Sequence, residues 1–343
     1  MKKKQFARLI CFLILVCFLG KSLSYIVRTN GVIKDRFAGF YAEPKDSIEV
    51  MMYGASPVGA SFAPGLLWKM GGVTSYPLST NSQSPVAIKY LIEETYKYQH
   101  PGLIIIEPRM FCSDPEKIRE DKAHIREVTD NLRYSLTRKR MIDAMLSDDD
   151  NKVEYYVDII KYHSNIGMLL DPDEWKKYDY SVSDPDKGFQ YQKEINAQAE
   201  FGDTDDKEVM PIPKECEDVL LDLLEYLKDQ DADVLFVATP RFYEYEYECR
   251  MNYIRDIVEK SGYSFLNMNR HLEEMGFDLK HDFNDGVHVN LLGSYKCSTY
   301  LAQYINTHYD FSTDLHTDTG SWDAAYDRYM EEYNGFLDQV EDY

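Results

Sequence analysis

The chain has 343 residues, 44% hydrophobic and 28% charged, enough to bury the core of one large α/β domain or two smaller ones, which argues against global disorder. Its net charge of -21 is unevenly placed, with Lys2, Lys3, Lys4, Arg8 and Lys21 forming a basic start that contains no acid. The acidic remainder repels phosphate backbones, which excludes nucleic acid as a favoured partner and suits cation-rich surroundings such as a cell wall.

Residues 9–20 are an unbroken apolar run, and a weaker apolar stretch continues around Lys21 to Val27. A cleaved signal peptide would use the small residues Ser22 and Ser24, whereas an uncleaved signal-anchor would span 9–27, about the ~20 residues a bilayer core requires. Ser-Leu-Ser is a mediocre cleavage site, which favours an anchor over residues 1–28. The early cations place the tail in the cytoplasm, although Arg28, Lys34 and Arg36 weaken the bias. Either way the body lies outside the cytoplasm. Residues 29–46 read as a linker.

A main domain over 47–310 begins with a buried strand at 48–53, stopped by Gly54. A helix is expected over 57–70, a second strand over 73–78, a polar loop over 79–84 and a helix from Pro85. The run 102–107 (GLIIIE) reads as a buried parallel strand closed by Pro108. From about 109 to 211 the alternation breaks, and the stretch reads as a helical insertion (135–146, 153–163) capping one end of the sheet. Its acidic runs, 148–150 and 203–206, read as solvated loops. The rhythm then resumes with helix 216–227, strand 233–238, helix 242–260, strand 263–267 and helix 291–306 with Asn290 placed to cap it. Residues 311–343 form an acidic tail with a last helix over 322–336. Strands alternating with helices imply a parallel sheet covered on both faces, a three-layer α/β/α arrangement.

In such a sheet, ligands bind beyond the carboxyl ends of the strands. Ser56 falls there, in Gly54-Ala55-Ser56-Pro57. Taken alone, Ser56-Pro57 is an ideal helix N-cap with proline at the first helical position. A serine in that place is also where a helix dipole favours developing negative charge. Ser61, in a second Gly-x-Ser, lies inside the expected helix. In Asn284-Asp285-Gly286-Val287-His288, Asp-x-x-His brings a carboxylate close enough to orient an imidazole, as a hydrolytic triad requires. The bland reading is a turn before a capped helix. The loop 79–84 offers oxyanion donors, from backbone N–H groups and from the amides of Asn81 or Gln83. His100, His124, His271, His281, His308 and His316 show no ligand spacing, so neither metal nor cofactor is expected. His163 reads as structural. Cys11 and Cys17 lie in the apolar run, and Cys112, Cys216, Cys249 and Cys297 are scattered, which leaves disulfides and buried thiols equally open. The 28 tyrosines suit carbohydrate contact and core packing alike.

These residues together resemble the SGNH (GDSL-type) hydrolase superfamily. More narrowly, they are similar to the membrane-anchored SGNH-like proteins of Gram-positive bacteria related to the D-alanyl transfer protein DltD. Gly-Ala-Ser56 stands where the family has its nucleophile block, Asp285-x-x-His288 matches its C-terminal block, and 75–85 resembles its oxyanion-loop region. Further likeness runs through 130–135, 161–164, Thr239-Pro240 and the tail around Trp322. Two departures stand out. Asn81 replaces a frequent glycine, and asparagine tolerates left-handed backbone. Pro57 has no N–H, which is harmless if the oxyanion is bound by the N–H of Ser56, as in the family. The resemblance implies a flavodoxin-like fold and an esterase or O-acyltransferase with Ser56 as nucleophile, His288 as base and Asp285 orienting it. It further implies a cell-envelope polysaccharide or teichoic acid-like polymer as substrate, and a membrane partner for acyl transfer. The altered loop and the large insertion leave a second expectation, a catalytically silent glycan-binding or scaffold protein on the same fold.

Overall fold

The computed structural model describes residues 3–29, 31–198, 207–242, 245–311 and 319–341. The expected acidic run 203–206 and His316 lie outside the described residues. Among the described residues five strands form one sheet: β1 (Val50–Tyr53), β2 (Ser75–Pro77), β3 (Leu103–Ile106), β4 (Asp233–Ala238) and β5 (Ser264–Asn267). Their order is β2-β1-β3-β4-β5, and every neighbouring pair is parallel. The chain leaves β1 first toward one edge and then returns to add β3 on the other side, so a topological switch point lies between β1 and β3.

Side chains alternate across the strands and split the core into two layers. Met51, Tyr53, Ile104, Ile106 and Phe236 pack on one face with Leu91, Leu220, Leu224 and Ile254, from the helices Ala87–Thr95, Lys214–Leu227 and Tyr245–Lys260. Val50, Met52, Leu103, Ile105, Leu235 and Val237 pack on the other with Val58, Leu67, Leu301 and Ile305, from the helices Ser56–Ser61, Pro64–Gly71 and Leu291–His308. Both faces being covered explains why β1, β3 and β4 are almost wholly apolar. Pro77, which lacks an N–H, sits in the edge strand β2.

The expected helix over 57–70 is instead two helices, because Phe62 is extended and Pro64 opens the second. The linker expected over 29–46 is part of the fold. Ile33, Phe37, Phe40 and Tyr41, spaced as one face of the helix Val32–Ala42, enter the first core layer. Buried charges hold this region. Arg28 pairs with Asp158 at 2.7 Å, Lys34 with Glu174 at 2.6 Å and Lys187 with Glu43 at 2.7 Å. Arg138 reaches the same Asp158 at 2.8 Å.

The insertion is in two parts. Its first helices, Pro115–Glu120 and Lys122–Thr129, follow β3 at the carboxyl edge of the sheet. The helix expected over 153–163 is broken into Val153–Tyr156 and Ile159–Tyr162, with Val157 non-helical between them and Asp158 turned into the buried pair with Arg28. The last helix, Gly320–Glu341, places Tyr329 and Phe336 against Leu66, Leu291 and Leu292. None of the six cysteines is in a disulfide. Tyr53, Tyr76 and Tyr329 are wholly buried, so core packing accounts for them.

The helix Lys3–Ile26 is long and apolar enough to cross a membrane. It is exposed through Lys21 and buried from Ser22 on, where the domain closes around it.

Candidate active site

β1 ends at Gly54, whose glycine is obligatory. A Cβ there would lie 2.5 Å from Val58 Cγ2 and 2.7 Å from Glu107 Cβ, at the point where β1 and β3 run side by side. Two residues on, Ser56 opens the helix Ser56–Ser61 with Pro57 in its first turn. The N-cap position belongs to Ala55, and the Ser56 hydroxyl caps nothing. It meets His288 Nε2 at 2.7 Å.

The other half of the site is the turn between Phe283 and Val289, which bridge each other in antiparallel fashion. Asp285 folds back on this turn, and its Oδ1 accepts from the N–H groups of Val287 (2.7 Å) and His288 (2.8 Å). The same carboxylate faces His288 Nδ1 at 2.9 and 3.0 Å. Burial raises the Asp285 pKa, but the hydrogen bonds from His288 and from the two backbone N–H groups outweigh it and hold the carboxyl below its ordinary range. An ionised acceptor at Nδ1 keeps the ring proton there and leaves Nε2 free to accept from Ser56. Behind the turn, wholly buried Asn290 accepts from Leu292 N–H (3.0 Å) and Gly293 N–H (3.3 Å) and donates to the carbonyls of His281 (2.6 Å) and Glu194 (3.1 Å). One side chain thus caps the helix Leu291–His308 and ties down the loop that carries the histidine.

A cavity of about 820 Å³ opens at the carboxyl edge of the sheet. Its wall includes Ala55 beside the serine, Gly286 and Val287 beside the histidine, Ser82 to Ser84 after β2, Arg109 after β3 and Arg241 after β4. The two amides expected as oxyanion donors part company here. Gln83 lines the cavity, is buried, and its Nε2 has no hydrogen-bond partner among the described residues. Asn81 faces elsewhere, since its N–H and Nδ2 both bind the Glu127 carboxylate, at 2.9 and 3.1 Å, and it lines a second cavity. Nor does Asn81 hold the left-handed turn position, which falls to Ser82 (φ 40°). The Ser56 N–H, first in its helix, has no intrahelical acceptor.

The cavity also holds residues that sequence reasoning missed. Arg109, Arg241, Arg250 and Lys117 line it, and Arg109 Nη1 and Arg250 Nε are buried without a hydrogen-bond partner among the described residues. No spacing announced them, because they come from four separate segments. Tyr247 is the one tyrosine in its lining among the described residues. Buried Glu107, next to Arg109, has its pKa raised by burial against the opposing pull of the Arg109 charge and N–H. His163 lies outside this region, exposed and bound to the Ile160 carbonyl at 3.0 Å. Among the described residues no cluster of His, Cys, Asp and Glu is arranged to hold a metal ion.

No protein-family model matches the chain, and no curated protein matches it in sequence.

Proposed function

We propose that the protein is a serine-dependent hydrolase or acyltransferase of the SGNH class, held at the outer face of a cell membrane and acting on acyl esters of a cell-envelope polymer. The observation that carries the reading is the relay Ser56 Oγ to His288 Nε2 at 2.7 Å and His288 Nδ1 to Asp285 at 2.9 Å, at the carboxyl edge of a parallel sheet. In the reaction His288 takes the Ser56 proton as Oγ attacks the acyl carbonyl. The tetrahedral oxyanion is met by the Ser56 N–H and Gln83 Nε2. Collapse breaks the ester bond, and the polymer hydroxyl leaves with the proton from His288. Water or a second hydroxyl then takes the acyl group by the same steps in reverse. The arginines of the cavity suit an acidic polymer, the more so in a chain whose net charge is -21.

The helix Lys3–Ile26 is read as an uncleaved signal-anchor. Ser22 and Ser24, the residues a signal peptidase would need, are buried against the domain. A second reading, a silent binding module, is favoured by one feature, the commitment of Asn81 to Glu127.

Full-length protein treated with a fluorophosphonate separates the two. The enzyme reading expects labelling that disappears in Ser56→Ala and turnover of acetyl esters lost with it. Glycan binding unchanged in Ser56→Ala and His288→Ala, with no labelling of the wild type, would establish the binding module instead.

A further inference from the structure

We propose that the insertion segment 157–179 is a membrane-docking collar, seated in the interfacial layer of the bilayer that the helix Lys3–Ile26 crosses. The proposal rests on the membrane-anchor reading above. The helix is gripped at its outer end by three consecutive elements, Ile159–Tyr162, the 3-10 turns His163–Leu170 and Pro172–Asp179. Ser22 Oγ donates to Tyr178 OH at 2.7 Å and Asn165 Nδ2 to the Val27 carbonyl at 3.1 Å, while the Tyr25 and Tyr178 rings meet at 5.5 Å.

These elements present large apolar side chains outward. Ile160 is 46% exposed, Ile166 64%, Leu170 88% and Trp175 41%. Trp175 is locally braced, since its Nε1 donates to the Leu169 carbonyl at 3.0 Å. Apolar residues this exposed, grouped within one short segment, mark a surface that meets something other than water. Lys161 is exposed beside them, Lys176 is exposed and paired with Asp173 at 2.8 Å, and a tryptophan near lysines suits a membrane–water boundary.

The length of the helix identifies the occupant. Between Arg8 and Lys21, the charges that bracket its lipid-facing run, an α-helix rises only about 20 Å, against ~30 Å of hydrocarbon. The missing depth falls on Ser22 to Val27, which continue the apolar run but are already wrapped by the collar. Sinking the wrapped turns to the boundary supplies that depth and takes the surrounding side chains with them. Lipid is thereby placed against Ile166, Leu170 and Trp175, and the domain sits on the membrane in one orientation instead of swinging on a tether.

Trp175 is a built-in reporter, since Trp322 is buried and Trp68 is half-buried. The full chain is reconstituted into phosphatidylcholine–phosphatidylglycerol vesicles whose acyl chains carry bromine at a shallow or a deep position. Vesicle flotation is scored on the same samples. The collar predicts a floating protein whose fluorescence is quenched more by shallow than by deep bromine. That quenching should be lost in Trp175→Phe and reduced in Ile166→Asp/Leu170→Asp, a pair of exposed positions at which the fold should tolerate charge. Flotation without Trp175 quenching overturns the collar and leaves the anchor standing, and is also the result expected if the surface serves a membrane protein rather than lipid. Failure to float overturns the anchor and the collar together. Neither result touches the serine chemistry, which labelling of Ser56 reads separately.

Discussion

Exchanging Asp285 for asparagine tests the site at its most specific point. Asp285 Oδ1 accepts two backbone N–H bonds, at 2.7 and 2.8 Å, and the carboxylate accepts the His288 Nδ1 proton at 2.9 Å. In Asp285→Asn the amide oxygen keeps the two backbone bonds, so the turn and the stability survive. The amide nitrogen, however, turns N–H groups toward Nδ1. The imidazole then avoids a donor–donor clash only by moving its proton to Nε2, where it faces Ser56 and cannot accept the hydroxyl proton. The same exchange in other serine triads lowers turnover by ~10⁴-fold. At ~1.36 kcal/mol per tenfold this is about 5.5 kcal/mol of transition-state stabilisation. The assay is the second-order rate of fluorophosphonate labelling, with unfolding followed in parallel. Asp285→Ala, which also removes both backbone bonds, should be slower and in addition about 2 kcal/mol less stable, at ~1 kcal/mol per bond. Labelling of Asp285→Asn within threefold of wild type would refute the relay. So would equal loss of stability in the two variants, which would make Asp285 a turn residue and nothing more.

Gln83→Ala should slow labelling by ~10²-fold, about 2.7 kcal/mol, whereas Asn81→Ala should change it little, because only the first presents a free donor to the cavity. The reverse ranking would move the oxyanion site to Asn81. The burial that raises the Glu107 pKa gives stability that is complete below the ordinary carboxylate range and lost as pH rises through the raised value. Glu107→Gln should therefore gain in melting temperature relative to wild type as pH rises above the ordinary carboxylate range, and a pH-independent difference would contradict this. Asn290→Ala removes two accepted hydrogen bonds and the Nδ2 donations to the carbonyls of Glu194, His281 and Phe283 at a wholly buried position. It should lose about 2 to 4 kcal/mol in urea unfolding, and a loss below about 0.5 kcal/mol would show that the turn holds without it.

β1, β3 and β4 were legible because burial on both faces leaves near-continuous apolar runs, and GLIIIE and DVLFVA have no other comfortable reading. Ser56, Asp285 and His288 were legible as candidates because residues that follow strand ends, or precede a capped helix, fall on one edge of any parallel sheet. Local sequence also bounded the apolar helix and the Asn290 cap, both of which depend on neighbours a few residues away.

What depends on partners far along the chain was decided by tertiary structure alone. Residues 29–46 read as a linker, yet Lys34 is buried there against Glu174 from the insertion and Arg36 against the carbonyls of Ser79 and Gly188, just as Arg28 before them is buried against Asp158. Asn81 and Gln83 are chemically alike and two residues apart, and only the placement of Glu127 by the helix Lys122–Thr129 separates them. The arginines of the cavity share no local pattern, since Arg109 follows β3, Arg241 follows β4 and Arg250 lies within the helix Tyr245–Lys260. Periodicity and capping are short-range effects that a sequence carries on its face. The pairing of buried charges and the direction in which a polar side chain points are settled only when distant segments meet, because each such group takes whichever partner removes it from water at least penalty.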